Sequence, residues 1–518
     1  MTNQTHTIRQ QYLHIELQGS EADGWALQQL ANTYQTWLMP VLEKVLTSYA
    51  PKNAYWLIDK LDIEINDLLL PRLSHDLPGL LAEALAKALA EQIPVNPQTV
   101  TVNSPFSGQL QIKPGSVYLS EVFCYFLTTG SLPWHYQLPE GQTLEQTLFT
   151  AWQQEKIDTT EIIRALRPTT TRTRLIHQFS ETFRLFLLAK LAPSFNDSIQ
   201  TILTGLTKTT LTVAELKPLK TQLWQTVFSA MAERQDSKLS ELMISSWRQL
   251  PSIEQSSALA GQLNQLWPEL ALTDAVKQNL TASPTVTNQL TSALNPIADH
   301  DVNRLLNTAR PELVEGSTPF GFDQPSPNGL PGNLRDEIAI NPQEPTKQHP
   351  DISEGLYIEN AGLVLLHPFL PQFFTALALG TGGQLLNPER ALCLLHYLST
   401  GQHSAPEYQL TLSKILCNVA LTTPVATDIT LNNDELAEAN ALLTAVIKHW
   451  SVLKSTSIDG LRHTFLVRPG KISLRDDGDW QLHVENQSFD ILLGQLPWGI
   501  SMVKLPWMPR MLWVDWHH

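Results

Sequence analysis

The chain has 518 residues, enough for two to four cored domains, and its 42% hydrophobic content fits a globular protein. Charged residues make up only 16% and the net charge is −15, so the basic footprint that nucleic acid or an anionic membrane surface requires is absent. Gln, Asn, Ser and Thr fill the polar surface instead, which suits packing against other protein. Three widely spaced cysteines, Cys124, Cys393 and Cys417, match neither a disulfide framework nor a zinc site. The polar stretch Met1–Gln11 has no apolar core or cleavage pattern of a signal peptide.

Taken in order, residues 12–17 alternate as a strand, and 21–48 carry a helical apolar stripe through Trp25, Leu30, Trp37, Leu42 and Val45. Alternation returns at Trp56 and Ile58 and again at Leu61, Ile63 and Ile65, before the Ala- and Leu-rich helix of 80–90. This predicts a small α/β unit over 1–98. Residues 99–115, with Pro105, Gly108, Pro114 and Gly115, read as a loop or hairpin.

A helical domain is predicted over 99–282. Its clearest stripes are Leu175, Phe179, Phe183, Phe186, Leu187 and then Leu219, Leu223, Val227, Met231. Pro133, Pro168, Pro193, Pro218, Pro251 and Pro268 should break it into short helices. Over 283–355 periodicity collapses, with eight prolines between Pro311 and Pro350, and this composition predicts a flexible linker.

Helical character resumes in 356–450, at 358–379, 390–400, 410–416 and 434–450. The apolar run 361–379 contains His367, Pro368, Pro371 and Gln372, costly in lipid, so it reads as a buried segment rather than a membrane span. Over 451–518 short strands are expected at 465–467, 472–474, 480–484 and 511–514, with Asp477-Gly478 as a hairpin signal. The fold class is therefore α+β, predominantly helical.

Catalytic chemistry finds no footing. Gly380-Thr381-Gly382-Gly383 lacks the Lys-Ser/Thr pair of a phosphate loop and follows a helix, so it reads as a cap and loop. Cys393 and His396 share a helix face but lie among Leu392, Leu394 and Leu395, the pattern of a core-lining helix. The His residues of the last 60 positions lack metal-ligand spacing, and Asp476, Asp477 and Asp479 read as a hairpin tip. Asp59, Asp62 and Glu64 alternate with apolar residues as an exposed face does. No catalytic, cofactor or metal residue is assigned. Instead, five of 14 tryptophans fall in the last 39 residues, among prolines and methionines. Trp and Met are enriched in interface cores, so Trp498, Trp507, Met508, Trp513 and Trp516 are the candidates for partner binding, the alternative being that the tail covers its own core.

Several strings occur in an order that resembles the contractile injection system tape measure proteins. In the C-terminal half they are Ile358-Glu359-Asn360-Ala361-Gly362-Leu363 through Pro371, Arg390-Ala391-Leu392, Glu407, the helix Leu412–Cys417, Ile458–Arg462 with Phe465–Arg468, and the Leu-Pro-Trp tail. In the N-terminal half they are Leu61-Asp62-Ile63, the turn Thr129–Trp134 and Arg174-Leu175-Ile176. The resemblance implies a non-catalytic assembly protein of a phage-tail-like particle that sets tube and sheath length. Its partners would be the inner tube, baseplate or spike components and the terminating cap, with homo-oligomers in the lumen. It would be cytoplasmic during assembly and carried in the tube lumen of the released particle. A different class, a globular chaperone or adaptor that nucleates the baseplate–tube junction without measuring length, fits the compact-looking units.

Overall fold

A computed structural model describes residues 38–50, 54–65, 73–92, 110–154, 157–233, 257–266, 355–427 and 429–516, with a few single positions outside them. Apart from Tyr12 and His14, the segment read from sequence at 12–17 lies outside the described residues, as do residues 21–37 of the stripe read over 21–48 and nearly all of the 283–355 linker. The chain forms two compact units, one made of Met1–Ser246 together with Pro345–His518, the other of Trp247–Glu344. The second unit contains the helix Ser257–Leu266, in which Leu263 is buried. All that follows concerns the first.

The described architecture is α+β and mostly helical. At its N-terminal end, helices α1 (Met39–Tyr49) and α2 (Leu73–Gln92) pack through Leu38, Leu42, Leu81, Leu85 and Leu89. Strand β1 (Ala54–Ile58) pairs antiparallel with β2 (Leu110–Pro114), so the tail of the expected loop-or-hairpin is a ladder strand. Leu61, Ile63 and Ile65 do alternate inward against the α1–α2 core, but the segment is extended chain outside any ladder among the described residues.

Among the described residues, seven helices follow: α3 (Gly115–Thr129), α4 (Leu144–Gln154), α5 (Thr159–Ala165), α6 (Thr169–Gln178), α7 (Glu181–Leu191), α8 (Pro193–Thr207) and α9 (Val213–Glu233). The stripe from Leu175 to Leu187 does not run along one helix. Phe179 adopts an extended backbone and Ser180 caps α7, its hydroxyl accepting from the Phe183 amide. The stripe survives the break because both helices turn it to one aromatic core, with Phe179 and Phe183 stacked at 4.7 Å and Phe123 edge-on to Trp152 at 5.2 Å. Pro193 opens α8 as expected, but Pro218 lies inside α9 without ending it. The α9 stripe Leu219, Leu223, Val227 and Met231 is buried and outweighs the one lost backbone bond.

In the C-terminal half, the stretch read as one helix over 358–379 is three pieces: strand β3 (Leu356–Ile358), a 3₁₀ turn (Ala361–Leu366) and helix α10 (Leu370–Ala376). Pro368 and Pro371 cannot donate to a continuous helical ladder. The glycine-dense run forms a two-residue hairpin of β4 (Gly380–Thr381) and β5 (Gln384–Leu385), with Gly382 and Gly383 both at positive φ. Helix α11 (Pro388–Thr400) starts on an Asn387 cap and ends on left-handed Gly401, and α12 (Thr411–Leu416) is one short stretch of helix. Helix α13 (Asn433–His449) has a reciprocal capping box, Asn432 with Glu435, and acidic and basic residues at the ends where the helix dipole favours them.

After the short helix α14 (Ile458–Leu461), Arg462–Leu466 winds as a π-helix, not the strand expected around Phe465. The expected hairpin does form: β6 (Gly470–Leu474) pairs antiparallel with β7 (Trp480–Val484) around Gly478 at φ 86°. With β8 (Met502–Val503) and β9 (Leu512–Asp515) they make a five-stranded sheet in the order β3-β6-β7-β9-β8, β9 running parallel to β7. Ile472, Leu482 and Leu512 point from this sheet into one large core.

Candidate functional site

Two buried ionic centres stand out among the described residues. The first joins the helical half to the C-terminal half. Helix α6 presents Arg174 amid Leu175 and Ile176, fully buried. Its Nε donates to Oε2 of Glu407 at 2.9 Å, and its remaining nitrogens donate to the carbonyls of Leu127 and Thr422. Lys414, on α12, donates to Oε1 of Glu407 at 2.6 Å and to the carbonyls of Leu421 and Thr423. Burial is the larger influence on Lys414 and lowers its pKa; Glu407 works against it. One carboxylate thus serves two cations, and backbone carbonyls take up the other donors. Around the triad, the Gln178 side chain bridges the halves twice, accepting from the Glu407 amide and donating to the Val425 carbonyl. The Thr427 hydroxyl donates to the carbonyl of His177.

Gly130 closes this site from the helical side. It ends α3 at φ 83°, where an L side chain is strained. A Cβ there would overlap Oε1 of Glu407 and lie 3.2 Å from Nε of Arg174. The turn Thr129–Trp134, Arg174, Glu407 and the helix at 412–417, far apart in sequence, therefore meet in one place. Sequence reasoning gave none of these charges a role. For Lys414 the signal was there: it is a lone cation between Leu412 and Ile415, where a charge must find a partner; Arg174, two residues after Arg172 in a Thr-rich helix, carried no such signal.

The second centre locks the C-terminal tail. Arg468 makes a bidentate pair with Asp490, 2.6 and 2.8 Å, and both are buried. The guanidinium lies between the rings of Phe489 and Trp516, 5.2 and 5.1 Å from their centroids. Trp516 Nε1 donates to Asp490 at 3.0 Å. Burial alone would raise the Asp490 pKa; Arg468, the Gln487 amide and Trp516 outweigh it and hold the carboxyl low.

The five tail candidates are held by their own domain. Met508 and Trp516 are buried, while Trp498, Trp507 and Trp513 are half-buried. Trp498 donates to the Leu365 carbonyl at 3.1 Å and Trp507 to the Leu416 carbonyl at 2.7 Å. The two Leu-Pro-Trp strings of the tail thereby each satisfy a carbonyl in the last turn of a short helix, one of the groups a helix end leaves unpaired. Trp513 donates to Asp479 at 3.1 Å, so Asp479 anchors β9 as well as forming the hairpin tip.

The signature strings also touch one another. The Ala361 amide donates to the Arg468 carbonyl at 2.9 Å. A Cβ on Gly362 would overlap the Phe465 carbonyl, and one on Gly470 would sit 2.7 Å from the Cβ of Ala361. The small residues of the 358–371 string are thus required by the backbone of the 465–470 string.

The sequence profile described as contractile injection system tape measure protein matches residues 5–516. The chain belongs to that family. Among curated proteins and among solved structures, none matches it. Tape measure proteins are structural components of phage-tail-like particles, associated with tube and sheath. Among the described residues, no group of three or more His, Cys, Asp or Glu could hold a metal ion, and no helix is long and apolar enough to cross a membrane. Cys393 and His396 lie buried in α11, and burial pushes the His396 pKa down to about 4. Within this tape measure family member, both ionic centres join elements of the fold to one another.

Proposed function

We propose that the chain is a non-catalytic assembly protein of a contractile injection system and that it works as a folded body, an adaptor at the junction of baseplate and tube. The observation that carries this reading is the Arg174–Glu407–Lys414 triad. It fastens segments more than 230 residues apart, so the docked chain is far shorter than its contour length, and pulling it straight would undo this contact together with the buried cores on either side. The longest helix among the described residues, α9, has 21 residues and spans about 32 Å, whereas 518 residues of continuous helix would reach roughly 780 Å.

The docking surface in this reading is the outer edge of the half-buried Trp498, Trp507 and Trp513, while Met508 and Trp516 belong to the buried core of the same domain. Its partners are baseplate or spike components and the first rings of the inner tube. Changing Trp507 or Trp513 to Phe keeps most of the apolar packing but removes the indole edge, and should abolish co-purification with the baseplate while the variant's far-ultraviolet spectrum stays native. Retained co-purification removes the tail from the interface.

The family's description favours a second reading, a ruler that sets tube and sheath length from within the lumen. Deletions of graded size between residues 283 and 344 separate the two. Particles imaged by electron microscopy keep their length if the protein is an adaptor, and shorten in proportion if it is a ruler.

A further inference from the structure

We propose that the helical half and the C-terminal half are separately folding modules docked by a releasable ionic latch, and that the latch, not the intervening chain, holds them together. Three observations carry this. First, the C-terminal core is self-contained: its buried apolar residues run from Ile352 to Trp516, and none comes from the helical half. The helical half has its own aromatic core around Phe123, Trp152 and Phe183.

Second, the contacts that cross between them are rich in polar groups. Hydrogen bonds run from Arg174 to Glu407 and Thr422, between Gln178 and both Glu407 and Val425, and from Thr427 to His177. A ring contact accompanies them, Phe126 edge-on to Tyr408 at 6.0 Å. Apolar interfaces between domains are slow to open because parting exposes oil to water. Polar ones lose far less, since water re-satisfies each donor and acceptor. A buried charge pair adds little net stability, yet removing one partner is costly. The seam therefore selects one docking geometry, and parting it exposes less apolar surface than parting an apolar interface of the same size.

Third, the fit is keyed from both sides. The helical half offers a side-chain-free position at Gly130, and the carboxylate of Glu407 fills the space where a side chain would stand. Neither module completes this charge cluster alone. Glu407 and Lys414 pair within the C-terminal half, while Arg174 is the helical half's contribution. The partner of the Glu407 face is thus the α6 face of this chain, carrying Arg174 and Gln178.

The test uses the full chain with a protease recognition sequence inserted between residues 300 and 340. After cleavage, the two pieces should co-elute on size exclusion at neutral pH. Glu407→Gln leaves two cations around a neutral amide and should weaken their association roughly a hundredfold, so that the pieces separate at micromolar concentration. Gln178→Ala removes two cross-bonds without stranding a charge and should loosen association by roughly tenfold. Separation of the wild-type pieces on cleavage overturns the latch, as does Glu407→Gln association equal to wild type. Loss of helical ellipticity by the released C-terminal piece overturns its independence.

Discussion

The carboxylate of Glu407 stands in the space that a side chain at residue 130 would need, and Gly130 leaves that space to it. The pair unites two demands on one glycine, a left-handed φ of 83° and close approach of a buried acid. Gly130→Ala should lose about 3–5 kcal/mol of stability, from about 1–2 kcal/mol of backbone strain and the displacement of a buried ion pair. Urea unfolding followed by circular dichroism would show it. Gly141, also at positive φ but with open space around it, gives the control: Gly141→Ala should cost only the strain.

Asp490→Asn should destabilise the C-terminal half by about 3–5 kcal/mol, since Arg468 would be left buried with no carboxylate. Because the native Asp490 pKa lies below its unfolded value, its contribution is full above roughly pH 4 and is lost as pH falls through the native pKa. Trp516 fluorescence during acid titration reports that loss, and Asp490→Asn should flatten the acid limb.

His396 supplies a second pH dependence at higher pH. Its native pKa near 4 is depressed by burial from an ordinary value near 6.5, so the unfolded chain takes up the proton first. Stability from this group is full above about pH 6.5 and falls by about 3 kcal/mol on the way to pH 4. Thermal melts of wild type and His396→Leu between pH 7 and pH 4 should diverge in slope, the variant losing less.

Truncation after Arg510 removes β9 and Trp516. It should unfold the C-terminal half rather than merely bare a surface, because β9 sits between β7 and β8 and Trp516 closes the Arg468–Asp490 pair. Near-ultraviolet circular dichroism would collapse. A native spectrum from the truncated chain would refute the tail's structural role.

Much of the fold was legible in the residues. Periodicity placed α2, α9, α11, α12 and α13, and alternation with Asp477-Gly478 placed the β6–β7 hairpin, because these signals lie within one element. It failed where the deciding contact was distant. Phe465 lies in an apolar, strand-like string, yet it sits in a π-helix whose backbone packs directly on Gly362. The string 358–379 has helical periodicity, but its prolines and its docking on β6 and residues 465–468 divide it.

By itself the sequence established a net charge of −15, a predominantly helical α+β chain, and a tape measure protein's order of strings. Composition and local pattern suffice for these. Only the tertiary structure decided that Gly130, Arg174, Glu407 and Lys414 form one buried site, and that the tail tryptophans end in hydrogen bonds to their own domain. The partners of a buried charge or an indole N–H lie tens to hundreds of residues away. Burial demands that such partners exist, but the chain's path alone determines which they are.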